Sequence, residues 1–277
     1  MNEIAKVAEN TALAVQNVQN PTINLPIITN REELMEAIQF NSAEGEKRRF
    51  DRITVPSAGG LSFTVTDENN NEAALAKFRG VILGFHLYNI WYQKNYNDRE
   101  EGEEPIFCFS ADKITGSGCP EAGIPAGQAC ATCPKKQRGS DRNGGDGTDC
   151  HDRCATWIAK ENDAMPIHLD LPRTSVKSFK DYRDFLMHKL GKPLYAVVTE
   201  VGLEKLEGKK TKYSAVTFTR ADTLTPEEKA IMKELGESLK ADMRIDYSTM
   251  KQVAATSKDN DFNRVADNLE AAAEQPY

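Results

Sequence analysis

The run FRGVILGFHLYNIWY, from Phe78 to Tyr92, is the strongest secondary-structure signal in this sequence. It is rich in β-branched and aromatic residues, which favour a strand, and it is long enough to bend around a small barrel. Gly80 and Gly84 are natural places for the bulge or coil that such bending needs. The sequence therefore predicts that this run is the central strand of the protein.

Weaker signals lie on both sides of this strand. Alternating runs predict further strands, and capping residues followed by apolar positions at helical spacing predict three helices. The predicted strands span 50–56, 61–65, 105–109, 166–172, 194–203 and 212–220, and the helices begin at Asn30, at Thr174 or Ser175, and at Thr225. Because strands and helices do not alternate, a doubly wound sheet is disfavoured. The pattern predicts an α+β protein that is mainly β, a compact barrel with a large insertion and flanking helices.

The composition limits the class of protein. The chain has 277 residues, 39% hydrophobic and 28% charged, which suffices for one large or two small domains with a real core. No run approaches the roughly 18 apolar residues of a membrane helix, and the first residues do not resemble a signal peptide. We therefore expect a soluble cytoplasmic protein without a membrane partner. Its six cysteines are expected to be metal ligands or free thiols rather than disulfides.

The net charge of -7 hides an uneven distribution. Residues 168–220 contain eleven Lys and Arg against six Asp and Glu, whereas residues 221–277 contain seven against twelve. Net charge alone argues against a polyanionic partner, but a basic segment followed by an acidic end makes such a partner worth testing. The alternative interpretation is a solvated helical face.

Residues 110–155 have almost no apolar periodicity, and a loop of this length needs something to order it. A tetrahedral structural zinc would order it, because such an ion takes two thiolates from each of two chain segments and supplies folding energy. The chain has a CxxC, a CxxxC and two cysteines upstream: Cys130 and Cys133, Cys150 and Cys154, Cys108 and Cys119. Spacing alone favours the first two pairs as the ligands. Free cysteines and an iron–sulfur cluster remain alternatives.

Enzyme motifs are poorly matched. A zinc deaminase needs His-x-Glu before Pro-Cys-x-x-Cys, but Leu87 and Tyr88 follow His86, and Ala129 precedes the CxxC. The glycines at 144–147 lack the Lys-Ser/Thr of a P-loop. A Mg²⁺-dependent nuclease would need a carboxylate cluster, for which the only dense candidates are Asp141, Asp146, Asp149 and Asp152. The spacing of these aspartates in a Gly-rich loop is more typical of a solvated turn than of an active site. The sequence therefore predicts a protein that is not an enzyme.

Six pieces of sequence within residues 50–220 occur in the order of a known family. They are RITVPSAGG at 52–60, GVIL at 80–83 leading to Trp91, CFSAD at 108–112, CATCP at 130–134 with Gly139-Ser140, Cys150, and LDLPRTSVKSFKDY at 169–182. On these pieces the chain resembles single-stranded-DNA-binding-like proteins encoded by bacteriophages and related mobile elements. The resemblance implies an OB-fold-like β-barrel with a long zinc-binding insertion at about 108–155, acting in DNA replication or recombination in a bacterial cytoplasm.

The resemblance also changes the expected zinc ligands. The first cysteine of the family pattern lies in a Cys-x-Ser-x-Asp element, which Cys108 matches. The implied ligands of a structural Zn²⁺ are Cys108, Cys130, Cys133 and Cys150. For the fourth ligand, Cys154 is the first alternative to Cys108, and Cys119 the second.

Single-strand binding needs aromatic faces for stacking and cations along the backbone. If only one face of the central strand lines the core, the other can offer its rings to bases. The expected stacking residues are Tyr88, Trp91 and Tyr92. The expected phosphate contacts are Lys135, Lys136 and Arg138 beside the CxxC, and Arg173, Lys177 and Lys180 around a helix start whose free amides suit an anion.

The predicted organisation is an arm with a short helix at 1–49, the OB-fold-like core at 50–245 and an acidic, flexible tail at 246–277. A tail that ends in Pro276-Tyr277 could compete with DNA for the basic groove or dock replication and recombination proteins. A disordered solubilising end is the alternative. The alternative function for the chain is a zinc-stabilised protein-interaction module of the replication or transcription machinery with little DNA binding of its own.

Overall fold

The structure is a computed structural model that describes residues 21–41, 48–56, 59–66, 71–94, 107–142, 146–207 and 212–248. It also describes single positions at 98, 100, 103, 105, 144 and 250. The first twenty residues of the predicted arm and nearly all of the predicted acidic tail lie outside these residues. So does the proposed docking end at Pro276-Tyr277.

The described residues form four α-helices and nine strands. The helices are α1 (Pro26–Thr29), α2 (Arg31–Phe40), α3 (Arg173–Leu190) and α4 (Pro226–Ser238). The strands are β1 (Arg52–Ile53), β2 (Phe63–Thr66), β3 (Glu72–Leu75), β4 (Phe78–Tyr92), β5 (Phe107–Ser110), β6 (His151–Lys160), β7 (Ile167–Leu171), β8 (Val197–Glu207) and β9 (Lys212–Thr223). The prediction of a mainly β, α+β protein is confirmed, whereas β3 and β6 had no counterpart among the predicted strands.

Most strands belong to one sheet, in the order β1-β7-β6-β4-β8-β9, with β5 also paired to β4. The pair β1–β7 is parallel, and the pairs β6–β7, β4–β8, β4–β5 and β8–β9 are antiparallel. β2 and β3 form a separate antiparallel pair. The predicted hairpin is confirmed as β8–β9, whose register runs from Val197 opposite Thr223 to Glu207 opposite Lys212.

The predicted central strand is confirmed with the same ends, since β4 runs from Phe78 to Tyr92. Gly80 has a different role from the one expected. A Cβ at Gly80 would lie 2.7 Å from the carbonyl oxygen of Ala159 on β6. The close approach of neighbouring backbone therefore accounts for glycine at this position.

α3 begins earlier than predicted, with Pro172 as its N-cap residue. Thr174 and Ser175 therefore lie in the first turn instead of capping the helix. Their hydroxyl groups bond to β9 rather than to the helix backbone. The Thr174 hydroxyl donates to the carbonyl oxygen of Ser214 at 3.3 Å, and the Ser175 hydroxyl accepts from the backbone N–H of Val216 at 2.9 Å. These two bonds fix the start of α3 on the sheet.

α3 then covers the sheet with an aromatic face. The fully buried ring of Phe179 makes edge contacts with Phe85 on β4 and with Phe218 on β9, at centroid distances of 5.3 and 5.5 Å. The hydroxyl groups of Tyr182 and Thr199 lie 2.8 Å apart. Packing of this kind stabilises a helix more than its intrinsic propensity does.

The end of the predicted arm belongs to the packed core. Ile23 and Leu25 are buried, with 1% and 0% exposure. The buried carboxylate of Glu228 on α4 accepts hydrogen bonds from the backbone N–H and hydroxyl of Thr22, at 2.6 and 2.7 Å. It also accepts from the N–H of Thr225 in a capping box. Part of the segment expected to be a mobile arm is thus held by the core.

The chain divides into two compact units. One combines residues 1–86 with 153–244, and the other combines residues 87–152 with 245–277. The first contains α1 to α4 and most of the sheet, and the second contains β5 and five of the six cysteines. Among the described helices, none is both long enough and apolar enough to cross a membrane.

Candidate metal centre and nucleic-acid contacts

Four of the six cysteines line one small cavity. Cys108 lies on β5, Cys130 and Cys133 in the loop that follows, and Cys150 immediately before β6. These are the four residues that the family resemblance implied, whereas spacing alone had favoured Cys154 over Cys108. The chain brings their side chains to one place, and their role as zinc ligands stays a prediction.

Backbone hydrogen bonds hold the segments that carry these cysteines. The N–H of Cys130 donates to the carbonyl oxygen of Ile114 at 2.8 Å, and that of Cys150 donates to Lys135 at 2.7 Å. The N–H of Cys133 donates to the carbonyl of Cys130 at 3.3 Å and closes the CxxC turn. The stretch expected to be a long irregular loop is therefore a series of short turns.

The Cys-x-Ser-x-Asp element forms one of these turns. The carboxylate of Asp112 accepts hydrogen bonds from the N–H groups of Ile114 and Thr115, at 2.7 and 2.8 Å, and from the Ser110 hydroxyl at 3.0 Å. These backbone bonds hold the pKa of Asp112 below its usual value. The serine and aspartate of the element thus turn the chain just after Cys108.

The cavity is small. Its volume is about 10 Å³, which is close to the space that one water molecule needs. Trp91 and Ile124 supply apolar walls, and Lys135 and Lys136 also line it. A cavity of this size has room for a single ion but not for an organic ligand.

The thiols of the cavity influence one another. Burial, opposed by Lys136 and reinforced by the charges of the other three cysteines, raises the pKa of the Cys150 thiol to about 12. Burial is also the main cause of a raised pKa at Cys108. If these thiols ionised together they would repel one another, and a bound cation would favour their thiolate forms.

The described side chains of His, Cys, Asp and Glu include no group of three already arranged as metal ligands. Four thiolates around zinc, each at about 2.3 Å, place their sulfur atoms roughly 3.8 Å apart, so these thiols would have to move inward. The donor set nevertheless fits Zn²⁺, because all four donors are soft sulfur atoms in a closed site. Lys135 and Lys136 would balance the negative charge of a zinc tetrathiolate.

The two remaining cysteines have other surroundings. Cys119 is 1% exposed and belongs to an apolar cluster with Trp91, Ile124 and Cys150, against which Cys108 packs. Burial raises the pKa of its thiol. Cys154 is fully buried on β6, opposite Leu171 of β7, in the other compact unit. Of the two alternative ligands, Cys119 is therefore the one that lies within the cysteine-containing unit.

A buried carboxylate organises the wall of the cavity. Asp149 accepts hydrogen bonds from Trp91 Nε1 at 2.7 Å and from Arg142 Nε at 2.6 Å, and Lys135 Nζ lies 3.6 Å away. Burial alone would raise the pKa of Asp149, but the bonds from Arg142 and Trp91 hold it below the usual value. Both cations also lie over the Trp91 ring, at 4.9 Å for Lys135 and 5.7 Å for Arg142.

The structure corrects the expectation that one face of β4 offers its rings to bases. Tyr88 and Trp91 are only 1% and 3% exposed. Tyr88 packs on Phe109 of β5 with centroids 5.5 Å apart, and Trp91 is held by Asp149. Tyr92 is half-buried beside Phe107. Around Tyr88 and Trp91 both faces of this strand are covered, which its alternating pattern could not reveal, whereas Phe85, earlier on the same strand, is 38% exposed.

The predicted phosphate contacts beside the CxxC differ in availability. Lys135 is engaged by Asp149 and Trp91, and Lys136 Nζ lies 3.1 Å from Asp152 and donates to Asn89 at 3.2 Å. Arg138 is exposed. The two lysines therefore serve the cavity in this structure, and Arg138 is the cation of this group that faces solvent.

The other predicted phosphate contacts lie on α3. Arg173 and Lys177 are exposed and Lys180 is half-buried. Lys177 forms an ion pair with Asp181 one turn later. The first turn of this helix contains no acidic residue, and its N-cap makes no side-chain hydrogen bond. The two groups of cations belong to different compact units.

Within the described part of the chain, the acidic residues considered for a nuclease belong to no group of three His, Cys, Asp or Glu that could hold a metal ion. Asp149 is held by Arg142, and Asp152 is paired with Lys113 and Lys136. These hydrogen bonds lower the pKa of Asp152 although burial opposes the shift. Asp146 is exposed. Each buried carboxylate thus has a structural role.

One surface was missed by the sequence-based reasoning. A groove of about 540 Å³ runs between α3 and the β8–β9 hairpin, lined in part by Phe185, Phe218 and Arg220. Phe185 falls at helical spacing with the buried Phe179 and Tyr182, but it is 46% exposed. The available signal was that Phe185 comes directly before the buried Leu186, and adjacent helical residues point 100° apart.

The chain matches no family model, no curated protein and no solved structure. Its function must therefore be argued from its own residues.

Proposed function

We propose that this chain is a non-enzymatic single-stranded-DNA-binding protein of phage or mobile-element replication or recombination, with an OB-fold-like core. We further propose that it binds one structural Zn²⁺ through Cys108, Cys130, Cys133 and Cys150. The small cavity supports a structural role for the ion, because a site of about 10 Å³ leaves no room for a substrate. The mainly β architecture and the order of the family motifs agree with the proposal.

The observation that carries DNA binding is the composition and exposure of α3. This helix has five Lys and Arg against two Asp, in a protein whose net charge is -7. Arg173 and Lys177 are exposed on it, as is the apolar ring of Phe185. Cations beside exposed aromatic rings are the features that bind single strands without sequence preference.

The test is fluorescence anisotropy of a labelled oligothymidine of about 16 nucleotides, compared with a duplex of the same length. Titrations at about 50 mM and about 200 mM salt give the electrostatic contribution. We expect binding to the single strand only, with an affinity that falls as salt rises. Equal affinity for the duplex, or no binding to the single strand at the lower salt concentration, would refute the proposal.

One observation favours the alternative, a zinc-stabilised protein-interaction module. Lys135 and Lys136 are already paired with Asp149 and Asp152, so the region beside the cysteines offers less positive charge than its sequence implies. Charge reversal at the exposed Arg138 tests whether the region beside the cysteines contacts phosphates. Arg138→Glu lowers single-strand affinity if this region contacts phosphates, and leaves it unchanged if the region binds a protein.

A further inference from the structure

The groove between α3 and the β8–β9 hairpin is open to solvent and has side chains of two kinds. Its helix side includes Lys177, Tyr182 and Phe185, and its strand side includes Phe218 and Arg220. Its volume of about 540 Å³ is within the range of sites that bind small organic groups. All of these residues belong to one compact unit.

Of the aromatic residues that line the groove, Tyr182 is only 7% exposed and Phe218 is half-buried. The rings of Tyr182 and Phe218 are stacked, with centroids 5.9 Å apart and planes inclined by 21°. Tyr182 is fixed by its hydroxyl contact with Thr199, and Phe218 by the edge of Phe179. Phe185 extends beside them with 46% exposure. A rigid aromatic pair with an exposed third ring can accept further stacking without a change in the fold.

We propose that this groove is the surface that binds the bases of single-stranded nucleic acid. The inference rests on the proposed function and assigns its binding surface to α3 and β9 instead of β4. Aromatic stacking suits every base because each has a π-face.

The charges of the groove place the phosphates at one end. Arg220 has no ion-pair partner among the residues that the structure describes, and its guanidinium donates to Thr223 at 3.4 Å. Lys177 neutralises Asp181. Glu204 pairs with Ala215, five residues from Arg220 along β9, which corresponds to roughly 17 Å. The sugar-phosphate backbone of the bound nucleic acid should therefore pass the Arg220 end of the groove, away from Glu204.

Two variants test the assignment by the anisotropy titration described above. Phe185→Ala should weaken single-strand binding about 5- to 150-fold, the range expected for one stacked base. Arg220→Glu should reduce the slope of log affinity against log salt by about 0.7, the value for one lost phosphate contact. Both side chains are exposed on regular elements, so circular dichroism should show an unchanged fold.

Matched controls come from the same unit. Met187→Ala removes an equally exposed apolar side chain, 55% exposed, from the same helix but outside the groove. Lys240→Glu makes the same charge change as Arg220→Glu at an exposed site outside the groove. Neither control should change affinity by more than about twofold, since distant exposed charges are largely screened.

A second measurement uses an oligonucleotide that carries 5-iodouracil, which cross-links to stacked aromatic side chains on irradiation. The expected cross-link lies at Phe185 or Phe218. If the protein binds single strands but the two variants bind like the controls and the cross-link lies elsewhere, the groove assignment is overturned and the groove belongs to a protein ligand. If the unmodified protein binds no single strand at all, the proposed function itself fails.

Discussion

The indole of Trp91 donates a 2.7 Å hydrogen bond to the carboxylate of Asp149, which joins β4 to the residue directly before Cys150. The carboxylate is 6% exposed and is also held by Arg142 and Lys135. Trp91 is in turn a wall of the cysteine cavity. This buried network therefore fixes two sides of the candidate metal centre.

Asp149→Asn tests the network. The substitution keeps the shape of the side chain but removes the charge that Arg142 and Trp91 bond to, so the free energy of unfolding should fall by about 1.5–3 kcal/mol. Urea unfolding measures the change. Asp146→Asn is the control, because Asp146 is exposed in the same loop region. Equal stability of the two variants would show that the network contributes nothing.

The ligand set can be tested by zinc content. The purified protein should contain about one zinc per chain, and Cys→Ser at position 108, 130, 133 or 150 should lower that content and the affinity for zinc. Removal of zinc by a chelator should lower the melting temperature, since binding contributes folding energy. Cys119→Ser and Cys154→Ala should keep the metal. If Cys119→Ser lost zinc while Cys154→Ala kept it, Cys119 would be a ligand in place of one of the four proposed cysteines.

Gly80 and Gly84 on β4 give a matched pair for packing. A Cβ at Gly80 would meet the backbone oxygen of Ala159 at 2.7 Å, whereas one at Gly84 would meet the flexible end of Met243 at 3.2 Å. Gly80→Ala should therefore destabilise the protein by about 1–3 kcal/mol, and Gly84→Ala by much less. Thermal or urea unfolding of both variants gives the comparison. A smaller effect at Gly80 than at Gly84 would contradict the close strand approach.

His168 should make stability depend on pH. Burial lowers its pKa from 6.5 to about 4, and Asp170 only partly opposes the shift. The unfolded chain therefore takes up a proton at higher pH than the folded protein does. Titration of His168 therefore has no effect on the free energy of unfolding above about pH 6.5. As the pH drops from about 6.5 to about 4, it lowers that free energy by up to about 3 kcal/mol.

His168→Phe isolates this effect, because Phe cannot take up a proton and its ring can keep the stack on Trp157, where the centroids lie 5.2 Å apart. The Nε2 atom of His168 has no hydrogen-bond partner to lose among the residues that the structure describes. Unfolding at several pH values should show a weaker acid dependence for this variant than for His188→Gln, which changes an exposed histidine. The same acid dependence in both variants would assign the effect to other groups.

Local patterns were sufficient for the regular elements. The ends of β4, the β8–β9 hairpin and α2 after Asn30 followed from periodicity, turn residues and capping residues. The strand β6 was missed because His151–Lys160 begins inside the cysteine-rich stretch, where the loop signals of its neighbours are stronger than its own alternation. Spacing alone also selected Cys154, and only the order of the family motifs indicated Cys108.

The sequence by itself determined that the chain is α+β and which residues share a face of β4. It also determined which cysteines lie close together in sequence, as a CxxC and a CxxxC. The tertiary structure alone decided what covers each face. It buries Tyr88 and Trp91, engages Lys135 and Lys136 with acidic partners, and leaves Phe185 in an open groove. The physical reason is that periodicity is a property of neighbours along the chain. Burial and ion pairing depend on segments far away along the chain, such as Asp149 beside Trp91, 58 residues apart, and Thr22 beside Glu228, 206 residues apart.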